Sequence, residues 1–253
     1  MTTAPNMPNV IAQYWQLEKL QFKSRRFMIS LVIQALLWVL VAFTNLLPGF
    51  MDTPKDASAL EALGTGMAGL VPEMSFAGIA LLFFITEQIG FWQKGIFRRY
   101  LIDGFTRADI LGYQLLSLGL RFLISVTLGL LVYVALGFVM IPSVMTEVLG
   151  AVEWSFLLFL TAGFVAKGLL VLLLINLIQK FYVILAFMGW MLLENILGNW
   201  KPELQDWMPY ELADRITDMA QGSTWHWYQP VWLGAIMVGV IFGLLTLARK
   251  RAY

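Results

Sequence analysis

Six apolar stretches, each close to the length a helix needs to cross a bilayer, constrain this chain more than any other feature. They run over residues 27–47, 74–91, 115–140, 154–178, 181–197 and 231–247. Helices of this kind leave apolar surface that cannot face water, and lipid is the medium that suits it. Composition agrees: 59% of the 253 residues are hydrophobic and 13% charged, against roughly 45–50% and about 25% in soluble domains. A soluble globular domain is excluded. The expected class is an all-α membrane protein with six transmembrane helices.

Lys and Arg fix the expected orientation, because they collect on the cytoplasmic side of a membrane. One side gathers Lys19, Lys23, Arg25, Arg26, Lys94, Arg98, Arg99, Arg107, Lys180, Arg249, Lys250 and Arg251. The other holds Lys55, Lys201 and Arg215, together with ten acidic residues from Asp52 to Asp218. Both termini are therefore expected in the cytoplasm, in a multi-pass protein of the cell (inner) membrane. Residues 1–13 carry no Lys or Arg, so the basic start of a secretory signal is missing. Three regions follow: a cytoplasmic N-terminus over 1–26, a six-helix domain over 27–247 and a basic tail at 248–253.

Two segments outside the spans have helical patterns of their own. Ile11, Tyr14, Trp15 and Phe22 give an apolar face beside Lys19 and Lys23, which reads as an N-terminal interfacial helix or as a plain cap on the first span. The outer segment 198–230 contains Pro209, a helix starter, followed by Leu212, Ile216 and Met219 on one face. This predicts a helix over 210–220 resting on the outer interface, the alternative being a substrate lid. Trp200, Trp207, Trp225, Trp227 and Tyr228 are spaced like an aromatic belt, and His226, the single histidine, reads as a surface residue among them.

Catalytic signatures are missing. The sequence has no GxxxxGK[ST], HExxH, CxxC or GxSxG pattern. The absence of Cys removes a thiol nucleophile and a cysteine metal site. A net charge of +1 argues against bulk nucleic-acid binding. An intramembrane enzyme stays open only if assembly brings a tight carboxylate or histidine cluster together.

The most informative stretch is the basic loop 92–112. Glu87 and Gln88 close the second span, and a basic segment with Lys94, Arg98 and Arg99 follows, with apolar spacing at Ile96 and Tyr100 and then Phe105. Gly104 is the expected helix breaker, and Thr106 an N-cap with Asp109 three residues on. At these residues the chain resembles the ABC-2 type permeases, the membrane subunits of ATP-binding-cassette exporters. That family has an acidic residue and a glycine at the end of span two, matched by Glu87 and Gly90. Its proline-hydrophobe-serine-arginine turn is matched by Gly104, Phe105, Thr106 and Arg107, with glycine for proline and threonine for serine. Gly112 matches the last glycine, while Tyr113 and Gln114 stand where a lysine is usual.

The resemblance implies the ABC-2, type V exporter-like architecture and a permease that pairs with a second copy or a related permease. It implies that cytoplasmic ABC ATPase subunits dock on Glu87, Lys94, Phe97, Arg98, Arg99, Tyr100, Asp103, Phe105 and Arg107 as a coupling helix. This chain would bind no cofactor, with ATP and Mg held by the partner. The cargo would be hydrophobic or amphipathic. The competing reading is a subunit that anchors an ATPase and transmits force without moving a substrate.

Lys167, Glu194 and Arg121 fall inside apolar stretches and count as functional candidates. Lys167 and Glu194 lie 180 − 167 = 13 and 194 − 180 = 14 residues from the turn at Lys180, so a hairpin brings them to similar depth. An ion pair, or a substrate or proton site, follows. Arg121 lies close enough to the basic end to snorkel in a supporting role. Ala235, Gly239 and Gly243 form a small-residue face expected to pack within the subunit.

Overall fold

The computed structural model describes residues 12, 14–16, 18–19, 22–23, 25–51, 73–102, 105–140, 142, 156–178, 182–218 and 225–249. Residues 52–72 and 143–155, Asp103, Gly104, Lys180 and the residues from Lys250 on lie outside the described residues.

Every apolar stretch is helical wherever it is described. These helices are α1 (Arg25–Met51), α2 (Glu73–Gln93), α4 (Arg107–Met140), α5 (Phe156–Ile178), α6 (Tyr182–Trp200) and α8 (Tyr228–Arg249). Between α2 and α4 lies the short α3 (Ile96–Ile102); between α6 and α8 come a 3-10 turn (Pro202–Trp207) and α7 (Pro209–Asp218). No strand occurs among the described residues. Among the described residues four helices, α4, α5, α6 and α8, are long and apolar enough to cross a membrane, and α1 adds a shorter apolar run, Phe27–Leu40. This fits an all-α, multi-pass membrane protein. Pro202 and Pro209 each open a helical turn, where a missing N–H costs nothing and the fixed φ suits the first turn.

α5 occupies the centre, packed against α2, α4, α6, α7 and α8. Its sequence is apolar all round, as a helix enclosed by others requires, and Phe164, Val171, Leu172 and Ile175 are buried. α4 comes close to it at Gly168, where an added Cβ would lie 2.5 Å from Leu118 Cδ2. Gly168→Ala therefore displaces Leu118 and is expected to destabilise by about 1–3 kcal/mol. Gly189→Ala, at an open position on α6, gains a little helix propensity instead. Melting of the two purified variants in detergent checks this; equal midpoints would mean that α4 and α5 are not closely packed there.

The outer faces of α1, α6 and α8 expose Leu36, Leu40, Leu192, Ile196, Phe242 and Leu245, apolar surface suited to lipid. The small-residue face of α8 departs from expectation. Ala235 and Gly239 are exposed, and nothing lies near Gly239. Only Gly243 packs inward, against Leu173 of α5. A four-residue spacing marks a face without saying what lies across from it.

Candidate functional site

The basic end of the bundle is built around α3. Gly95, at φ 69°, separates it from α2 in a backbone conformation that glycine tolerates best. Gly95 is thus one break, and α3 ends at Ile102, just before Gly104, which lies outside the described residues. Phe97 is 1% exposed. Its ring lies 5.0 Å from Trp92, 5.4 Å from Phe91 and 6.1 Å from Tyr113. This corrects the expectation that Phe97 meets a partner: three aromatic neighbours from α2 and α4 give its ring an apolar seat inside. The opposite side of the segment leaves Lys94, Arg98 and Arg99 exposed. Tyr100 and Phe105 are half-buried and pack edge to face at 5.3 Å.

α4 opens with the expected capping box. Thr106 N and Oγ1 each donate to Asp109 Oδ2 at 2.7 Å, and Asp109 N donates back to Thr106 Oγ1 at 3.2 Å. Tyr14 donates its hydroxyl to the Asp109 carbonyl, tying the N-terminal segment to the same point. Burial, and next the Asp109 charge, pushes the Tyr14 phenol well above its ordinary range, so it remains a donor. Tyr14 and Trp15 do not share a lipid face. Tyr14 is buried against α4, whereas Trp15 is exposed with Lys19 Nζ 5.8 Å from its ring.

Further along α4 lies a buried charge cluster. Arg121 Nε donates to Glu87 Oε2 at 2.7 Å, and Nη2 donates to Glu18 Oε2 at 3.3 Å. Phe22 and Phe27 lie 5.5 and 4.8 Å from the guanidinium carbon. Arg121 and Glu18 are almost wholly withdrawn from solvent. Arg121 does not snorkel, because two carboxylates and two ring faces hold it inside. Glu87 is likewise turned to Arg121 rather than outward. The cluster joins the N-terminal segment, α2 and α4 at one point. Glu18 lies four residues after Tyr14, which puts both on one helical face, the signal in the sequence that points to it.

A polar seam accompanies it. Gln114, Ser117, Arg121 and Ser125 follow one another on a single face of α4 and are all buried. Asn176 of α5 donates to Gln114 Oε1 at 2.9 Å, and Gln88 of α2 donates to Ser117 Oγ at 3.5 Å. Their three- and four-residue spacing was the available signal.

Lys167 and Glu194 each contact Tyr210 at the far end of the molecule, one at its ring and the other at its backbone N–H. The Glu194 carboxylate accepts the Trp190 indole N–H, the Glu211 backbone N–H at 3.1 Å and the Tyr210 backbone N–H at 3.4 Å. Lys167 Nζ lies 5.0 Å from the centre of the Tyr210 ring. Glu194 therefore caps α7 from a neighbouring helix, its negative charge set against the positive end of the α7 dipole.

This also corrects the placement of the outer helix. α7 does not rest on the interface: Tyr210, Leu212 and Ala213 are buried, and it packs chiefly on α5. Asp206 secures it by accepting from Tyr228 (2.8 Å), Gln229 (2.9 Å) and Arg215 (2.8 Å). Trp200, Trp207 and Trp227 stay exposed around it, and His226 stacks on Tyr228 at 5.5 Å.

Among the described residues, no group of three His, Cys, Asp or Glu could hold a metal ion. No family model matches the chain, nor does any curated protein or solved structure.

Proposed function

We propose that this chain is the permease subunit of an ATP-binding-cassette exporter, with six spans in the ABC-2, type V exporter-like arrangement and both termini in the cytoplasm. Its cargo is hydrophobic or amphipathic, and ATP is hydrolysed by separate subunits that dock on α3, the permease pairing with a second permease. The observation that carries this reading is the seat of α3. Its inner face is anchored by Phe97 among Phe91, Trp92 and Tyr113, while Lys94, Arg98 and Arg99 point to solvent. A short basic helix fixed to two long helices can pass a push from a partner into the bundle, where packed elements move as units.

Co-purification with the candidate ATPase tests it. Arg98→Glu with Arg99→Glu leaves the aromatic seat intact and should release the ATPase, more strongly at low salt, where exposed charges are least screened. Tyr100→Ala with Phe105→Ala should uncouple hydrolysis from transport, though their mutual packing means that the helix seat changes too. Equal ATPase recovery and equal transport-linked hydrolysis in both double variants would remove α3 from the mechanism. Full ATPase coupling with no transported species would favour a force-transmitting subunit. Orientation has its own test, helped by the absence of native cysteine. Glu203→Cys should react with an impermeant maleimide on intact cells and Arg99→Cys should not; the reverse pattern would invert the topology.

A further inference from the structure

A narrow cleft, partly open to solvent, lies at the basic end of the bundle where α2, α4, α5 and α8 come together. Its polar lining is Trp92, Arg107 and Asn176, and its apolar lining includes Leu111, Leu244 and Leu247. Two of its N–H groups have no acceptor: Trp92 Nε1 and Arg107 Nε are both withdrawn from solvent and unpartnered. Trp92 is 9% exposed. Asn176 is differently placed, since its amide N–H groups already serve Gln114 Oε1 and the Leu172 carbonyl.

A buried N–H without an acceptor costs about 1–3 kcal/mol, so two lining one cleft point to an acceptor that belongs there. The local field selects its charge. Arg107 is the first residue of α4, a helix of 34 residues, and a long helix presents its positive dipole end and free N–H groups at that point. Asp109 does not cancel this, because its carboxylate is taken up by Thr106 and it lines a different cleft, beside Tyr14 and Tyr100. Arg249, exposed one residue beyond Ala248 of the lining, adds positive charge.

We propose that this cleft binds the phosphate group of an anionic phospholipid, Arg107 and Trp92 donating to phosphate oxygens and an acyl chain lying along Leu244 and Leu247. A free phosphate ion shares the headgroup chemistry but has no use for the leucines. The proposal does not rest on ATPase docking; it takes Arg107 from the expected partner contacts and gives it to lipid.

The full-length chain, purified in delipidating detergent, can be examined by native mass spectrometry with added phosphatidylglycerol, phosphatidylcholine or inorganic phosphate. The wild type should retain one phosphatidylglycerol per chain in preference to phosphatidylcholine. Arg107→Gln should weaken that binding by about tenfold, the worth of a charge-assisted hydrogen bond. Trp92→Phe, which keeps the ring and removes the donor, should weaken it by about threefold. Arg98→Gln, on the exposed side of α3, should leave it unchanged. Monodisperse elution shows that each variant is folded, and the two lining variants test the site independently. Undiminished binding in both, or an equal loss in Arg98→Gln, would overturn the proposal in favour of diffuse charge. Complete displacement of phosphatidylglycerol by inorganic phosphate would overturn it in favour of a soluble anion.

Discussion

Arg121→Met should cost about 3–5 kcal/mol of stability, the largest loss expected of any single substitution in this chain. Glu18 and Glu87 both depend on that guanidinium. Without it, two carboxylates are left close together with no cation between them, Glu18 fully buried and Glu87 only partly exposed. Arg121→Lys should recover only part of the loss, because an ammonium cannot present the two directed N–H groups that now reach two different helical segments. Adding Glu87→Gln to Arg121→Met should restore some folded yield by removing one of the stranded charges. Fluorescence-detected gel filtration after a heating series gives the numbers. If Arg121→Met melts like the wild type, the cluster is not a support. If the double variant is simply the sum of its parts, Glu87 and Arg121 are not coupled.

Glu194→Ala is the second large effect. It removes the acceptor of the Trp190 indole and of two backbone N–H groups at the start of α7. Each buried donor left without a partner costs about 1–3 kcal/mol. Glu194→Gln keeps one carbonyl oxygen and should be milder, which separates loss of the cap from loss of charge. Lys167→Met alone should also destabilise, and combined with Glu194→Gln should lose less than the sum, since both residues act on Tyr210; a coupling of about 0.5–3 kcal/mol is the usual range for groups in one network. Limited proteolysis within 201–218 reports whether α7 has come away. Unchanged cleavage in Glu194→Ala would mean that α7 is held by its apolar face alone.

Hydropathy made all six long helices legible, because a run of some twenty apolar residues admits few other structures. Local chemistry made the start of α4 legible too, since Thr106 and Asp109 sit at capping-box spacing. The misplacements share one cause. Phe97, Arg121, Ala235 and the face of α7 were each read from their own spacing or their distance from a span end. Which way they point depends on what a distant segment brings up against them. Trp92 and Tyr113 draw Phe97 inward; Glu18, 103 residues away in sequence, holds Arg121. Glu194 was found because an ionisable residue in an apolar run stands out unaided. Two of its partners, backbone N–H groups of α7, carry no side-chain signature, whereas Trp190, four residues before it, shares its helical face.

The cap on α7 has a consequence for biogenesis. A ribosome delivers this chain from its N-terminus, so α5 with Lys167 and α6 with Glu194 emerge before residues 209–218 exist outside the tunnel. During that interval Glu194 lacks the Tyr210 and Glu211 N–H groups that later receive it. A carboxylate in that condition is a poor passenger for lipid, and the insertion machinery must shelter it or let it protonate. The central helix of the finished bundle is thus surrounded late, when α7 folds back between segments already in place.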